Sequence, residues 1–318
     1  MKRVLVTGAG GMVGYQVIRF LLSEGKYEIT VLDLKTKNAY KKLKHFRRRV
    51  DIVYGDVNDV SVVDSLIKEN DIVIHLAGVI PPLANIRDDL CEKMDYGGTE
   101  LIVDAIKKYN PNCQLIYASS TSVYGYKKDH ENVNVNTKCE IDDFDFYSKN
   151  KIKCENYIKD NVKNYTIFRL AYVLGDPKKD AIIYTVNPNS YLETISSEDA
   201  GYAFVVAIDH FKELKGKTFN LSGGEKFRTR YKDYLLKIFK TYGLSFRYLS
   251  IWLLAEKNYF GAYYSDGDEL EEILDFRSKN LDVYYDSLEK YKSSIFRIIP
   301  RLLALPFVIR LKKNKKEV

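Results

Sequence analysis

The sequence predicts an α/β fold, a doubly wound parallel sheet with a smaller C-terminal region. The first strand-like segment ends in a glycine-rich turn, "TGAGGMVG", that opens a helical pattern. Short β-branched segments then alternate with helical segments of ten or more residues, which is typical of βαβ units. The 318 residues, 46% of them hydrophobic, can build a core for one large domain or two modest ones.

Six predicted strands account for residues 1–175. In chain order they are "RVLVTG", "YEITVLDL", "VDIVYGD", "DIVIHLAG", "CQLIYASS" and "YTIFRLAYVLG". The intervening helices are predicted from apolar residues at helical spacing, such as Val13, Val17, Phe20 and Leu21 in the first. Connections of this kind are right-handed crossovers, so the strands are expected to run parallel.

Beyond Gly175 the alternation loosens. The segments "SEDAGYAFVVAIDHF" and "KTFNLSG", within residues 196–224, are predicted to return to the main sheet. Residues 225–318 are richer in aromatic side chains and are predicted to form a region that covers the substrate and ends in a basic tail.

Composition excludes several classes of function. The four cysteines are far apart and form no C-x-x-C pair, so neither a disulfide framework nor a metal site is expected. The formal charge of +7 lies largely in "KKLKHFRRR" and "RLKKNKKEV", which lack interleaved aromatic residues, and no nucleic-acid partner is expected. Nothing resembles a signal peptide, which favours a cytoplasmic protein.

The glycine-rich turn has the features of a dinucleotide-binding site. Gly8 permits the tight turn, Gly11 lets the backbone approach a pyrophosphate, and Gly14 lets helix and strand pack closely. Asp33 follows at the end of the second strand, where a carboxylate accepts hydrogen bonds from ribose hydroxyls and repels a 2′-phosphate. NAD is therefore favoured over NADP, although Lys35 and Lys37 lie close by and partly offset the repulsion.

Asp56 ends the third strand in "YGDV". It is a candidate to accept a hydrogen bond from the adenine amino group. Equally, it can be an ordinary acidic residue near a helix N-terminus. Both interpretations stay open.

Tyr147 and Lys151 are separated by one helical turn and lie on one face of a predicted helix. A free tyrosine, with a pKa of about 10, is a poor base, but a nearby ammonium stabilises its phenolate. Ser119 and Ser120 end the fifth strand, at the carboxyl edge where open α/β sheets bind ligands. A serine hydroxyl there can orient a substrate oxygen.

Together these segments resemble the extended short-chain dehydrogenase/reductases of the NAD-dependent epimerase/dehydratase family. "TGAGGMVG" resembles the family's T-G-x-x-G-x-x-G, "HLAG" its H-L-A-A, "SSTSVYG" its S-S-x-x-V-Y-G, and "YSKNKIKCE" its Y-x-x-S-K-x-x-x-E. "FRLAYVLG", "ISSEDAG" and "FNLSGG" resemble later motifs in family order. The resemblance implies a Rossmann-type NAD-binding domain at 1–175 and a catalytic set of Ser120, Tyr147 and Lys151. It implies that NAD contacts Gly8, Gly11, Met12, Val13, Gly14, Asp33, Asp56, Val57, Leu76, Ala77, Gly78, Tyr147 and Lys151.

The sequence departs from the family pattern at three residues and in the length of one interval. Asp95 and Asn150 stand where the family usually has asparagine and serine, and Tyr172 stands where nucleotide-sugar enzymes usually carry an asparagine. Only about twenty residues separate Gly175 from "ISSEDAG", an interval that is much longer in nucleotide-sugar enzymes.

These observations favour an NAD(P)-dependent oxidoreductase acting on a secondary alcohol or carbonyl that is not a nucleotide sugar. The alternatives are a nucleotide-sugar epimerase or dehydratase with tightly held NAD, and a non-catalytic dinucleotide-binding scaffold. The resemblance further implies a homodimer that pairs residues 147–160 with 95–108. Residues 295–318 combine a mostly apolar stretch of about 17 residues, too short for a membrane span, with a basic end. The apolar side chains either cover the catalytic domain or make a peripheral membrane contact.

Overall fold

The computed structural model describes residues 1–81, 83–126, 131–143, 145–175, 186–241 and 261–288. A seven-stranded parallel sheet with the order β3-β2-β1-β4-β5-β6-β9 forms its centre. The strands are β1 (Lys2–Thr7), β2 (Tyr27–Asp33), β3 (Asp51–Tyr54), β4 (Ile72–His75), β5 (Gln114–Ser120), β6 (Tyr165–Leu170) and β9 (Lys217–Leu221). The predicted Rossmann-type fold is therefore confirmed.

Helices cover both faces of this sheet. They are α1 (Met12–Glu24), α2 (Lys37–Leu43), α3 (Val60–Glu69), α4 (Leu83–Ile86), α5 (Asp88–Cys91), α6 (Gly98–Tyr109), α7 (Phe146–Asn161), α8 (Ser197–Val206) and α9 (Phe211–Leu214). A π-helical turn, Glu92–Gly97, joins α5 to α6, and a 3-10 turn, Thr121–Tyr124, follows β5.

Alternation along the strands explains the two covered faces. Val4 and Val6 of β1 are fully buried in the core on one side, whereas Leu5 between them is buried in the core on the other. Successive strand side chains point to opposite faces, so a continuous apolar segment fits a sheet that is buried on both sides.

The sixth predicted strand, "YTIFRLAYVLG", is two strands in the structure. The amide of Ala171 still donates to the carbonyl of Leu221 in the main sheet (3.0 Å). Beyond it, β7 (Tyr172–Leu174) leaves to pair with β8 (Tyr191–Ser196), which also pairs with β10 (Arg228–Arg230). An apolar segment predicts a strand but does not specify its partner, so the sequence did not show this division.

The smaller second sheet packs with two C-terminal helices, α10 (Tyr231–Thr241) and α12 (Leu281–Leu288). Helix α11 (Gly267–Leu274) instead packs against β9 and belongs to the main core. A separate apolar cluster, which includes Leu174, Phe227, Tyr234 and Tyr285, joins β7, α10 and α12. This layer lies at the carboxyl end of the main sheet, because β7 continues directly from β6.

The basic tail and the predicted membrane contact at 295–318 lie outside the described residues. No helix in the described part of the chain is long and apolar enough to cross a membrane.

Candidate active site

The glycine turn has little room for side chains. Gly8 has a positive φ of 70°, and a Cβ there would lie 2.7 Å from the amide nitrogen of Ala77. A Cβ on Gly14 would lie 2.5 Å from the carbonyl oxygen of Gly8. Helix α1 begins after Gly11 without a side-chain cap, so its first amides are directed at the turn and suit an anion.

Asp33 closes the opposite side of this turn. Its carboxylate accepts a hydrogen bond from the amide of Gly10 at 2.6 Å, and Lys42 Nζ donates to the carbonyl of Gly10 at 2.8 Å. Burial raises the pKa of Asp33, while the Gly10 and Leu34 amides and the charge of Lys42 oppose that rise. Lys42, from α2, is therefore the basic residue beside this carboxylate; the sequence had suggested Lys35 and Lys37.

Asp56 uses its carboxylate locally. Its Oδ1 accepts hydrogen bonds from the backbone and the side-chain amide of Asn58, both at 2.9 Å. Its neighbours Gly55 and Val57 line the cavity described below, whereas Asp56 does not. A contact between Asp56 and adenine stays a prediction.

A buried hydrogen-bond chain holds the loop after β4. Thr7 Oγ1 lies 2.7 Å from His75 Nδ1 and accepts from the amide of Ala77 at 3.2 Å, while His75 Nε2 lies 3.1 Å from Thr99 Oγ1. Burial, and then the charge of Lys151, lower the pKa of His75 to about 3. This histidine is therefore neutral and fixes the position of the Leu76–Gly78 segment.

The two serines at the end of β5 have different partners. Ser119 Oγ donates to Glu155 Oε1 at 2.6 Å, and Arg169 holds the same carboxylate. Ser120 Oγ instead accepts from the amide of Ser122 at 3.2 Å and hydrogen-bonds the side chain of Tyr147. The geometry therefore favours Ser120 over Ser119 beside Tyr147, as the motif position had predicted.

Helix α7 carries Tyr147 and Lys151, both less than a tenth exposed. Lys151 Nζ donates to the hydroxyl of Tyr117 at 3.3 Å and the carbonyl of Ala118 at 3.1 Å, and lies 5.8 Å from the ring centroid of Tyr147. Burial raises the pKa of Tyr147, and the ammonium of Lys151 opposes that rise. The ammonium therefore favours the phenolate form.

One cavity of about 510 Å³ brings the predicted residues together. It is lined by all of them except Asp56: Gly8, Gly11, Met12, Val13, Gly14, Asp33, Val57, Leu76, Ala77, Gly78, Ser120, Tyr147 and Lys151. The close approaches at Gly8 and Gly14 leave backbone alone facing the turn, which is the surface that a pyrophosphate requires. The cavity therefore fits a dinucleotide.

Much of the remaining lining is apolar. Helix α10 contributes Tyr234, Leu235 and Ile238, and the segments after β6 and in α12 contribute Tyr172 and Tyr284. The sequence did not indicate that residues of α10 and α12 line this cavity. The apolar spacing in "YKDYLLKIFKT" indicated an amphipathic helix but not the surface that it covers.

Charged side chains are scarce in this lining. Among the described residues that line the cavity, only Asp33 and Lys151 are charged. Asp33 lies at the glycine turn, and Lys151 lies behind Tyr147. The described residues also contain no cluster of three or more side chains suited to a metal ion.

Comparisons with known proteins agree with this geometry. The CDP-paratose 2-epimerase of Salmonella typhi is 24% identical over 266 residues, covering 70% of this chain and 79% of that protein. The 3 beta-hydroxysteroid dehydrogenase type 7 of Rattus norvegicus is 30% identical over 123 residues, covering 38% of this chain and 36% of that protein.

Solved structures support the same fold. The dTDP-glucose 4,6-dehydratase from Bacillus anthracis, determined in complex with NAD, superposes with a TM-score of 0.74 at 16% identity, covering 92% of this chain and 96% of that one. The family model described as "3-beta hydroxysteroid dehydrogenase/isomerase family" matches residues 5–170. These findings confirm the resemblance to extended short-chain dehydrogenase/reductases, and the chain belongs to the 3-beta hydroxysteroid dehydrogenase/isomerase family.

Proposed function

We propose that this protein is an NAD-dependent oxidoreductase that acts at a secondary alcohol or carbonyl carbon of an apolar substrate. The observation that carries this proposal is a single cavity whose lining combines two sets of residues. The first is the glycine turn with Asp33, and the second is Tyr147 together with the largely apolar side chains of Tyr172, Tyr234 and Ile238. NAD, when bound at the glycine turn, would supply the hydride acceptor or donor.

The residues around Tyr147 have the chemistry for the accompanying proton transfer. The Ser120 hydroxyl binds the substrate oxygen beside the Tyr147 hydroxyl. Tyr147, as phenolate, accepts the proton of the substrate hydroxyl in the oxidative direction and returns it in the reductive direction. Lys151 stabilises the phenolate through its charge and has donors to spare for a ribose hydroxyl.

The apolar lining supports a substrate other than a nucleotide sugar. A diphosphate needs several cations or backbone donors to replace its hydration. The described lining offers only one cation, Lys151, and its ammonium already donates to Tyr117 and Ala118. A flat or elongated apolar alcohol loses no such hydration and gains contact with the aromatic side chains.

A nucleotide-sugar epimerase or dehydratase is the second candidate. The similarity to the CDP-paratose 2-epimerase favours it, because that match extends over more of this chain than the match to the steroid dehydrogenase. Such an enzyme would return the hydride to the substrate, so it would release no NADH over a full cycle.

Turnover with a substrate panel tests the proposal. NADH formation is followed by absorbance with hydroxysteroids, long-chain secondary alcohols, and UDP-, CDP- and dTDP-sugars. Sustained NADH formation with an apolar alcohol and none with any sugar nucleotide is expected. Conversion of a sugar nucleotide without net NADH release would contradict the proposal in favour of the second candidate.

A matched pair of tyrosine variants identifies the proton-transfer group. Tyr147→Phe removes one hydroxyl and no packing volume, and the rate is expected to fall at least about 100-fold, since general acid–base groups contribute that much or more. Tyr157→Phe is the control on the same helix, because its hydroxyl binds Asp104 away from the cavity at 2.7 Å. If Tyr147→Phe keeps more than about a tenth of the wild-type rate, the role assigned to Tyr147 is wrong.

A further inference from the structure

A buried carboxylate lies behind Lys151. Asp95 is 1% exposed and sits in the π-helical turn between α5 and α6, a distortion that often marks a functional position. Its Oδ1 accepts from the amide of Val79 at 2.8 Å, and its Oδ2 accepts from Cys91 Sγ at 3.4 Å. Both contacts are donors, so they suit an ionised carboxylate.

Asp95 and Lys151 approach each other across Gly78. A Cβ built on Gly78 would lie 2.4 Å from Asp95 Oδ1 and 3.4 Å from Lys151 Nζ. The ammonium itself hydrogen-bonds only neutral oxygens in the described structure, those of Tyr117 and Ala118. The two opposite charges are thus near neighbours without a direct ion pair.

The two departures from the family pattern near this site are connected. Asp95 replaces the usual asparagine and Asn150 replaces the usual serine. The side chain of Asn150 lowers the pKa of Cys91, and Cys91 in turn donates to Asp95. Asn150, Cys91 and Asp95 therefore form one buried unit next to the catalytic pair.

Asp95 and Lys151 are the two ionisable groups of opposite charge in this pocket. Burial raises the pKa of Asp95, and the charge of Lys151 and the hydrogen bonds from Val79 and Cys91 oppose that rise. The other titratable side chains that face this pocket stay neutral. Burial lowers the pKa of His75 to about 3 and raises the pKa of Cys91 to about 12. It also raises the pKa of Tyr117, Tyr147 and Cys154. Burial lowers the pKa of Lys151, but electrostatic interactions with Asp95 and, to a smaller extent, with Tyr147, Cys154 and Cys91 together more than offset this, and the resulting pKa lies above the ordinary value. The charge of Asp95 also raises the pKa of Tyr147.

We propose that Asp95 is the buried counter-ion of Lys151 and a positioning residue that limits how strongly the ammonium favours ionisation of Tyr147. With asparagine at this position, the positive charge of Lys151 would act on Tyr147 unopposed. With aspartate, the pair is nearly neutral, and Tyr147 ionises only at higher pH. The protein is therefore tuned toward proton donation by Tyr147, the direction needed to reduce a carbonyl. This inference rests on the proposed function only for the role of Tyr147.

The test measures ionisation of Tyr147 without any substrate. Tyrosine labelled with 13C at Cζ is titrated by NMR, and the Tyr147 resonance is identified by its absence from Tyr147→Phe. In Asp95→Asn the midpoint is expected to fall by about one pH unit or more relative to wild type, because a nearby like charge has been removed. Asn150→Ser, which changes no charge, is the matched control and leaves the midpoint in place.

Equal midpoints in wild type and Asp95→Asn, or a Tyr147 resonance that titrates in neither, overturn the proposal. If Asp95→Asn does not fold, the ionisation of Asp95 itself is measured in wild type and in Lys151→Met. The observable is the carboxyl 13C resonance of Asp95, assigned through its backbone. An ionised Asp95 at neutral pH that becomes harder to ionise in Lys151→Met supports the counter-ion, and a protonated Asp95 in wild type refutes it. These titrations are separate from turnover, so a failed substrate panel does not affect them.

Discussion

Glu155→Gln tests how the sheet and helix α7 are joined at the active site. The Glu155 side chain is 2% exposed and lies one helical turn beyond Lys151 on α7. Its carboxylate accepts two hydrogen bonds from Arg169 of β6, at 2.9 Å and 2.7 Å, and one from Ser119 of β5 at 2.6 Å. Replacement by glutamine keeps the volume but leaves the guanidinium of Arg169 buried without its counter-charge.

The expected loss of unfolding free energy is about 3–5 kcal/mol, the usual cost of removing one partner of a buried ion pair. Arg169 keeps its hydrogen bond to the Val135 carbonyl at 3.1 Å, but this bond satisfies only one of the N–H donors of its guanidinium. For a chain of this size the loss corresponds to a fall in Tm on the order of 6–10 °C. Since domains are stable by about 5–15 kcal/mol, the variant should still fold.

Urea unfolding followed by circular dichroism measures this loss, with Lys159→Met as the control. Lys159 contacts the same carboxylate at 3.2 Å, but its side chain is 33% exposed, so its removal should cost less than about 1 kcal/mol. If Glu155→Gln costs no more than Lys159→Met, the ion pair does not stabilise this junction, and the reasoning is wrong.

The same pair predicts a pH dependence. Burial raises the pKa of Glu155, but the hydrogen bonds and charge of Arg169 overcome that effect and hold the pKa below its ordinary value. The stabilisation is therefore present above the unfolded-state pKa of about 4.3 and is lost as pH falls through the folded-state value. Glu155→Gln lacks this component, so the difference in stability between wild type and variant should shrink on acidification.

Four further predictions concern the cofactor site, the oligomeric state and residues 295–318. Lys151→Met should lose turnover and some NAD affinity, measured by calorimetry; unchanged affinity would exclude a ribose contact. Titration should show that NAD binds more tightly than NADP. This preference should be larger in Lys42→Met, because Asp33 then lacks its neighbouring cation, and it should be unchanged in the control Lys41→Met. Sedimentation should show a homodimer, and a monomer at micromolar concentration would contradict this. A chain ending at Phe296 should bind anionic liposomes less than the full chain if residues 295–318 contact membranes, and equal binding would exclude that contact.

Short-range patterns explain why so much of the site could be predicted. Gly8, Gly14 and Asp33 are fixed by the geometry of one strand–helix–strand unit, where each position has a local steric or electrostatic requirement. Tyr147 and Lys151 share a helix face because of the helical period alone. The carboxyl ends of parallel strands meet at one edge, which places Ser120 within reach of that face. These relations need no knowledge of distant contacts.

Such short-range patterns do not predict which residues form the apolar part of the cavity lining. Periodicity in α10 predicts that Tyr234 and Ile238 share a face, but not that this face meets Tyr172 and the cavity. The apolar segment after Leu170 predicts one strand, and only the pairing of β7 with β8 divides it.

The sequence by itself therefore determined the sheet, the dinucleotide turn and the tyrosine–lysine pair, because each depends on spacing within one or two neighbouring elements. The tertiary structure decided what surrounds them: Lys42 beside Asp33, Glu155 bound to Ser119, and Asp95 behind Lys151. Charges and hydrogen bonds act over a few ångströms in space, so residues dozens of positions apart become partners only when the chain folds.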